Sequence, residues 1–383
     1  MRIPRRDLFQ SREKHLLAVA SELASPLLAA AARSSTGRPP TPAADWRKGL
    51  IISHTHIGDL LYRTCSLETL RSGLPNCSWD YLVSPAGAEV LTGNPAISEI
   101  LPLQLTEDSW SLSATAMRDL ALRGYDVVLC TNTVRHYADF VTALRLRVPN
   151  RVGISTKGFS AALTLPVEAE MPMAYPAYFR SIVSAVTGVP ASWSLRPRIY
   201  LDGEATAEAG EAWQRGRLAA GKPVIACTLT TRQPHGAWPA DLFVRSLERA
   251  SSATGAQIVF CGSAADAEQL HAAAATCSAP STVLAGELGV RAFAAFLSRC
   301  SALLATDSGP RHVANAVGTP VVFGRNLTYS RIEAGTYTDT ETDIAPPADE
   351  FVRPAELPNS YAKVSVEAIA SALVSRLSIS AAR

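Results

Sequence analysis

The chain has 383 residues, 47% of them hydrophobic and 18% charged, with a formal net charge of +2. This length exceeds one ordinary core and predicts two domains, while the near-neutral balance excludes a whole-protein attraction to nucleic acid. No run of about 20 apolar residues occurs, so no transmembrane helix is expected. The seven cysteines are odd in number, and none stands in a C-x-x-C pair. Several fall in apolar runs, which predicts buried, reduced thiols rather than a disulfide framework or a zinc site.

In chain order, Arg2, Arg5 and Arg6 precede a Leu- and Ala-rich stretch at 8–32. Glu13, Lys14, Glu22 and Pro26 interrupt it, unlike the apolar centre of a secretory signal. The pattern predicts an amphipathic helix lying on an anionic membrane surface; a helix packed on the domain is the other outcome. Residues 34–45 are rich in Pro, Ser and Thr and are expected to form a linker. A strand follows at 50–52, then a turn-like His54–Asp59 segment, a helix at 60–71, and strands at 81–83, 99–103 and 126–130. Prolines and aromatics crowd 168–198, and the domain crossover is expected between 183 and 210. The second series places strands at 223–227, 257–261, 302–305 and 321–323. Its helices fall at 241–254, 264–275, 290–298 and 311–317. A last helix at 364–377 could return to the first domain. The alternation predicts α/β architecture with parallel sheets. The expected division is an N-terminal basic segment and linker at 1–45, a first domain at 46–200 and a second at 201–383.

The segment from Thr306 to Pro320 reads TDSGPRHVANAVGTP. It follows an apolar strand and opens a helix, which aims free backbone N–H groups and the positive helix end at an anion. A glycine at 309 admits close approach, Ser308 adds a hydroxyl, and a diphosphate is the natural guest. An Asp-Ser pair can also be a plain helix cap.

This segment resembles the D-S-G-x-x-H-x-A and G-T-P pattern of glycosyltransferase family 9, the heptosyltransferases. The resemblance extends to IISHTHIGDLL at 51–61, LTGNP at 91–95, Arg151-Val152-Gly153, Trp238-Pro239 and Leu284-Ala285-Gly286. It runs from about Leu50 to Tyr337. It implies a GT-B fold, with two Rossmann-like doubly wound domains facing across a cleft. It also implies an inverting, metal-independent transfer of heptose, ordinarily from ADP-heptose, to a glycan acceptor such as lipopolysaccharide core. The aspartate of the Gly-Asp pair is the proposed base, here Asp59. A carboxylate at a loop–helix junction can take the acceptor proton; the other reading is that it only caps the helix from Leu60. Donor contacts are expected from Thr230, Thr231, Arg232, Asp266, Asp307, Ser308, Gly309 and His312. For Asp266 the helix dipole alone is an ordinary reason for an acid. Acceptor contacts are expected from His56, Arg63 and Arg135. No metal or other cofactor is expected, and His54 and His56 lack a third ligand nearby.

Two departures lie at the donor site. The family's Lys two positions before the Trp of Trp-Pro is Gly236 here, leaving Arg232, His235 or Arg325 to supply charge. After Phe323 the chain reads Gly324-Arg325-Asn326 in place of Gly-Pro-Thr. Alternatives are therefore a hexosyltransferase with a UDP- or GDP-sugar, or a non-catalytic binding member. Expected partners are a nucleotide sugar, a glycan or lipid-linked glycan, and a membrane surface, but not nucleic acid. A cytoplasmic location is expected, peripheral on the inner face of the membrane.

Overall fold

The run KGLIIS at Lys48–Ser53 forms strand β1, buried along nearly its whole length, as a central parallel strand covered on both faces must be. The computed structural model describes residues 15–16, 18–20, 22–24, 26–27, 30, 39–53, 56–103, 112–131, 138–155, 160–170, 172–231, 236–346 and 352–381. The chain divides into two compact units, 1–195 and 196–383.

In the first unit β1 is followed by α1 (Ile57–Thr64), α2 (Leu67–Gly73), β2 (Ser78–Val83), α3 (Pro85–Leu91), β3 (Glu99–Pro102), α4 (Ala114–Leu122) and β4 (Val127–Cys130). Then come α5 (Ala138–Arg145), β5 (Asn150–Ile154), β6 (Leu165–Val167) and α6 (Tyr175–Thr187). The single helix expected at 60–71 is two helices. The chain turns at Cys65-Ser66, where the Ser66 N–H bonds back to the Arg63 carbonyl at 3.1 Å. Trp193 fixes the turn by donating its indole N–H to Ser66 Oγ at 3.1 Å. Helix α6 was not expected in its proline-rich stretch. It forms because Pro176 sits in the first helical turn, where a missing N–H costs nothing.

The second unit carries α7 (Gly203–Arg215), β7 (Val224–Thr228), α8 (Ala240–Thr254), β8 (Gln257–Gly262), α9 (Ala267–Thr276), β9 (Ser281–Ala285) and α10 (Val290–Arg299). It continues with β10 (Ala302–Thr306), α11 (Gly309–Val317), β11 (Val321–Gly324), α12 (Arg331–Ala334), β12 (Glu341–Ile344), α13 (Leu357–Tyr361) and α14 (Val366–Ala381). Strand β5, whose sequence NRVGI opens with two polar residues although all of it is buried, was not expected. Strands β6, β9 and β12 were not expected either. Each ends its sheet, is short, and lacks a continuous apolar run.

The sheets are β3-β2-β1-β4-β5-β6 and β12-β11-β10-β7-β8-β9, and every pairing within them is parallel. Each order reverses direction beside its first strand, between β1 and β4 and between β7 and β10. In doubly wound sheets ligands bind at the carboxyl ends beside such a reversal. Helix α14 buries Ile369, Leu373 and Leu377 in the second unit's core beside α8. Arg376 secures it to β12 through Thr342 Oγ1 at 2.9 Å and the carbonyls of Asp339 and Glu341.

The segment expected to be a linker is pinned at its far end. The Thr41 N–H donates to Asn150 Oδ1 at 3.0 Å, and Asn150 Nδ2 donates to Thr41 Oγ1 at 3.2 Å. Trp46 is buried and donates its indole N–H to the Thr41 carbonyl.

Candidate active site

At the reversal point of the first unit, Thr131 donates its hydroxyl to the Ile52 carbonyl at 2.7 Å, tying the exit of β4 to that of β1. Arg63, on α1, runs beneath the same junction. Its Nη1 donates to Ser53 Oγ at 2.9 Å and to the Asp59 carbonyl at 2.8 Å, and its Nη2 reaches the Thr131 carbonyl at 3.4 Å. Arg63 is only 8% exposed. Among the residues expected on the acceptor, the structure thus gives it a bracing position.

Asp59 occupies the third position of α1, because the helix starts at Ile57. The N-cap is His56, which is exposed and whose carbonyl accepts from the Leu60 N–H at 3.0 Å. Asp59 therefore does not cap the helix. Its carboxylate is partly exposed and has no hydrogen bond or ion pair among the described residues. The result is a carboxylate fixed by the backbone beneath it and uncommitted at its oxygens.

The second unit repeats the latch. Thr306 donates its hydroxyl to the Thr230 carbonyl at 3.0 Å, joining the exits of β10 and β7, and lies 3.1 Å from Ser308 Oγ. Ser308 is the N-cap of α11, yet its side chain bonds to no helix N–H. Gly309 follows as the first helical residue. A β-carbon built there meets nothing within 4 Å, and its backbone is not in the left-handed region. The fold itself does not require glycine at this place; the open space lies outside the chain, at a helix N-terminus suited to an anion. Gly324 is the opposite case. A β-carbon there would lie 2.6 Å from the Trp238 indole, which donates to the Arg325 carbonyl at 3.1 Å. The tryptophan of Trp-Pro thus seats the loop after β11 against the loop after β7.

Beneath the motif lies a charged network. Arg311, fully buried, donates through Nε to Glu341 Oε1 at 2.5 Å and through Nη1 to Asp307 Oδ1 at 2.7 Å. It also donates to the Ala334 and Gly335 carbonyls, and its guanidinium lies 3.5 Å from the Phe323 ring centroid. Burial pushes the Asp307 carboxyl up, with Arg311 opposing that shift. Asp307 is thereby committed to holding the loop. Asn315 donates to Glu341 Oε1 at 2.7 Å and to the Tyr337 hydroxyl at 3.1 Å. That hydroxyl lies 2.7 Å from His312 Nδ1. Burial, and then the neighbouring Arg311 charge, hold His312 well below the ordinary imidazole range, so it is neutral.

The structure brings together Thr230, Thr231, Asp307, Ser308, Gly309 and His312 around the exits of β7 and β10. Asp266 lies after β8, where its Oδ2 accepts from the Ser263 N–H at 2.8 Å and from Ser263 Oγ at 2.6 Å, closing a capping box. Arg325 is 1% exposed and donates to the Tyr329 carbonyl, with Asp343 3.8 Å from its Nε. His54, Arg135, Arg232 and His235 lie outside the described residues. The partners Arg311, Asn315, Tyr337 and Glu341 were not anticipated. Arg311 was within reach, since Asp307 and Arg311 are spaced i, i+4; Glu341, far along the chain, carried no local signal.

Two six-stranded doubly wound parallel sheets, one in each unit, are the architecture of the GT-B fold. A profile of glycosyltransferase family 9 (heptosyltransferase) matches residues 115–325, more than half of the chain. The chain belongs to glycosyltransferase family 9 and is a glycosyltransferase. Asp59 precedes the matched residues. No curated protein matches the sequence. Among solved structures, the family 9 glycosyltransferase from Veillonella parvula is 18% identical with a TM-score of 0.74, over 88% of this chain and 99% of that one. The E. coli ADP-heptose lps heptosyltransferase II is 19% identical with a TM-score of 0.66, over 87% and 99%. The E. coli heptosyltransferase WaaC with ADP is 15% identical with a TM-score of 0.65, over 86% and 99%. At these identities the likeness carries the fold.

Proposed function

We propose that the protein transfers a heptose from ADP-heptose to a hydroxyl of a glycan acceptor, such as lipopolysaccharide core, with inversion and without a metal ion. The observation that carries this proposal is the uncommitted Asp59 carboxylate in the first turn after β1. The acceptor oxygen bonds to the anomeric carbon as the bond from that carbon to the diphosphate breaks. Asp59 takes the hydroxyl proton, and ADP leaves. A single displacement inverts the centre. The leaving diphosphate is stabilised by the N–H groups at the start of α11, with Ser308, Thr230 and Thr231 as hydroxyl donors and His312 as a neutral group behind them. The family's heptosyltransferase description and the ADP-bound relative support the donor assignment. We place the reaction in the cytoplasm, in keeping with seven free thiols.

A second donor class is the other reading, because Gly236 stands where the family's donor-site lysine is expected, and a β-carbon there would lie 3.2 Å from Asn326 Nδ2 and 3.5 Å from Thr231 Oγ1. Transfer and hydrolysis measured across ADP-heptose and UDP- and GDP-hexoses decide between them. Highest turnover with ADP-heptose, unchanged by a chelator, is expected. Turnover only with UDP- or GDP-sugars would establish the second class. Tight nucleotide binding with no turnover on any donor would make the protein a non-catalytic member.

A further inference from the structure

The described residues between 15 and 30 are helical. One face of this helix is fixed to the first unit. Ala18 is fully buried and Glu22 is 2% exposed. The Glu22 carboxylate accepts from the Ser160 N–H and from Ser160 Oγ, each at 2.7 Å. These bonds set the rotation of the helix about its axis. The opposite face carries Leu16, Leu23 and Leu27, which are 55%, 59% and 78% exposed. At the α-helical repeat the three leucines fall within an arc of about 40°. A helix serving only to pack would turn these three leucines inward and the glutamate outward. Residues 1–15 contain five Arg or Lys against two Asp or Glu, so the sequence leading into the helix is basic.

We propose that Leu16, Leu23 and Leu27 form a membrane-docking stripe, held outward by the Glu22–Ser160 clamp and directed by the preceding basic residues to an anionic lipid surface. The leucines enter the boundary between headgroups and acyl chains, and the arginines meet the lipid phosphates. The clamp makes the docking helix one body with the first unit, so binding orients that unit on the bilayer. The proposal does not depend on the identity of donor or acceptor.

The test is sedimentation of the full chain with large vesicles, of phosphatidylcholine alone and of phosphatidylcholine mixed with phosphatidylglycerol. No turnover is measured. The wild type is expected to bind the anionic vesicles and to bind the neutral ones far less. The triple variant L16S/L23S/L27S is expected to lose about tenfold or more in partitioning, with its thermal midpoint unchanged because the replaced side chains face water. Should the triple variant unfold, Leu27→Ser alone, at the most exposed of the three, is expected to lose about threefold. Undiminished vesicle binding by a folded variant would overturn the proposal. So would equal binding to neutral and anionic vesicles, or no wild-type binding at all. A wild type that self-associates in gel filtration, set against a monomeric triple variant and no vesicle binding by either, would assign the stripe to a second copy of the chain and overturn it too.

Discussion

The two reversal points solve the same problem with one difference that matters for chemistry. Each has a threonine hydroxyl latched to a carbonyl across the gap between strands, Thr131 to Ile52 and Thr306 to Thr230. Each has a buried arginine beneath the strand–helix loop, Arg63 and Arg311. Arg311 grips the side chain of Asp307, whereas Arg63 grips the backbone carbonyl of Asp59. The first arrangement commits the carboxylate and makes the loop rigid at the cost of a free anion. The second holds the residue by its backbone and leaves the carboxylate available to accept a proton. Two aspartates flanking the starts of helices, indistinguishable in composition, are separated in role by which of their oxygens an arginine takes.

The strongest way to break this comparison is at Asp59. Asn keeps the size but cannot accept the proton. Asp59→Asn is expected to lower transfer by about 10²- to 10⁴-fold, with nucleotide affinity and thermal stability unchanged because the carboxylate holds nothing in place. Near-normal turnover would remove Asp59 as base. A large fall in the unfolding midpoint would show that it was committed after all.

Next is the network under the second loop. Arg311→Met leaves the buried Glu341 and the partly buried Asp307 without their cation, a change that for a buried pair typically costs about 3–5 kcal/mol. The expected result is a marked loss of stability in the second unit, measured by denaturant unfolding with a probe there. Arg63→Met, which removes hydrogen bonds to the Ser53 hydroxyl and to the Asp59 and Thr131 carbonyls, is expected to cost less. Equal costs would erase the distinction drawn between the two arginines.

The smallest expected effect sharpens the donor side. Because a β-carbon at Gly309 meets no protein atom, Gly309→Val should fold normally. It should weaken nucleotide diphosphate binding by about tenfold or more, the loss of a backbone contact to a charged group. Calorimetric titration with ADP measures this, and unchanged affinity would move the diphosphate away from the start of α11.

Most central strands were legible in the sequence because a strand buried on both faces is commonly an uninterrupted apolar run; the inner strand β5 was not, because buried Asn150 and Arg151 open it. The predicted strands at 50–52, 126–130, 223–227 and 302–305 correspond to β1, β4, β7 and β10 within a few residues. The edge strands β6, β9 and β12 were not, since half-exposed edges carry mixed polarity. The motif at 306–320 was legible for a local reason: capping, a proline in the first turn and a closing glycine all act within one helix. The start of α1 at Ile57 was placed three residues late. His56 caps it with its backbone rather than with a recognisable side chain, so Asp59 could be taken for a cap. The opposing faces of the N-terminal helix followed from no periodicity alone, because a buried glutamate behind exposed leucines makes sense only with Ser160 across from it.

The sequence by itself determined the α/β class, most of the central strands and the family, since these rest on short-range periodicity and on short contiguous motifs. Only the tertiary structure decided which carboxylate is free. Hydrogen bonds from Arg311 to Asp307 and Glu341, and from Arg63 to the Asp59 carbonyl, depend on where distant segments meet. Which carboxylate is engaged by a cation follows from those contacts and not from the kind of residue.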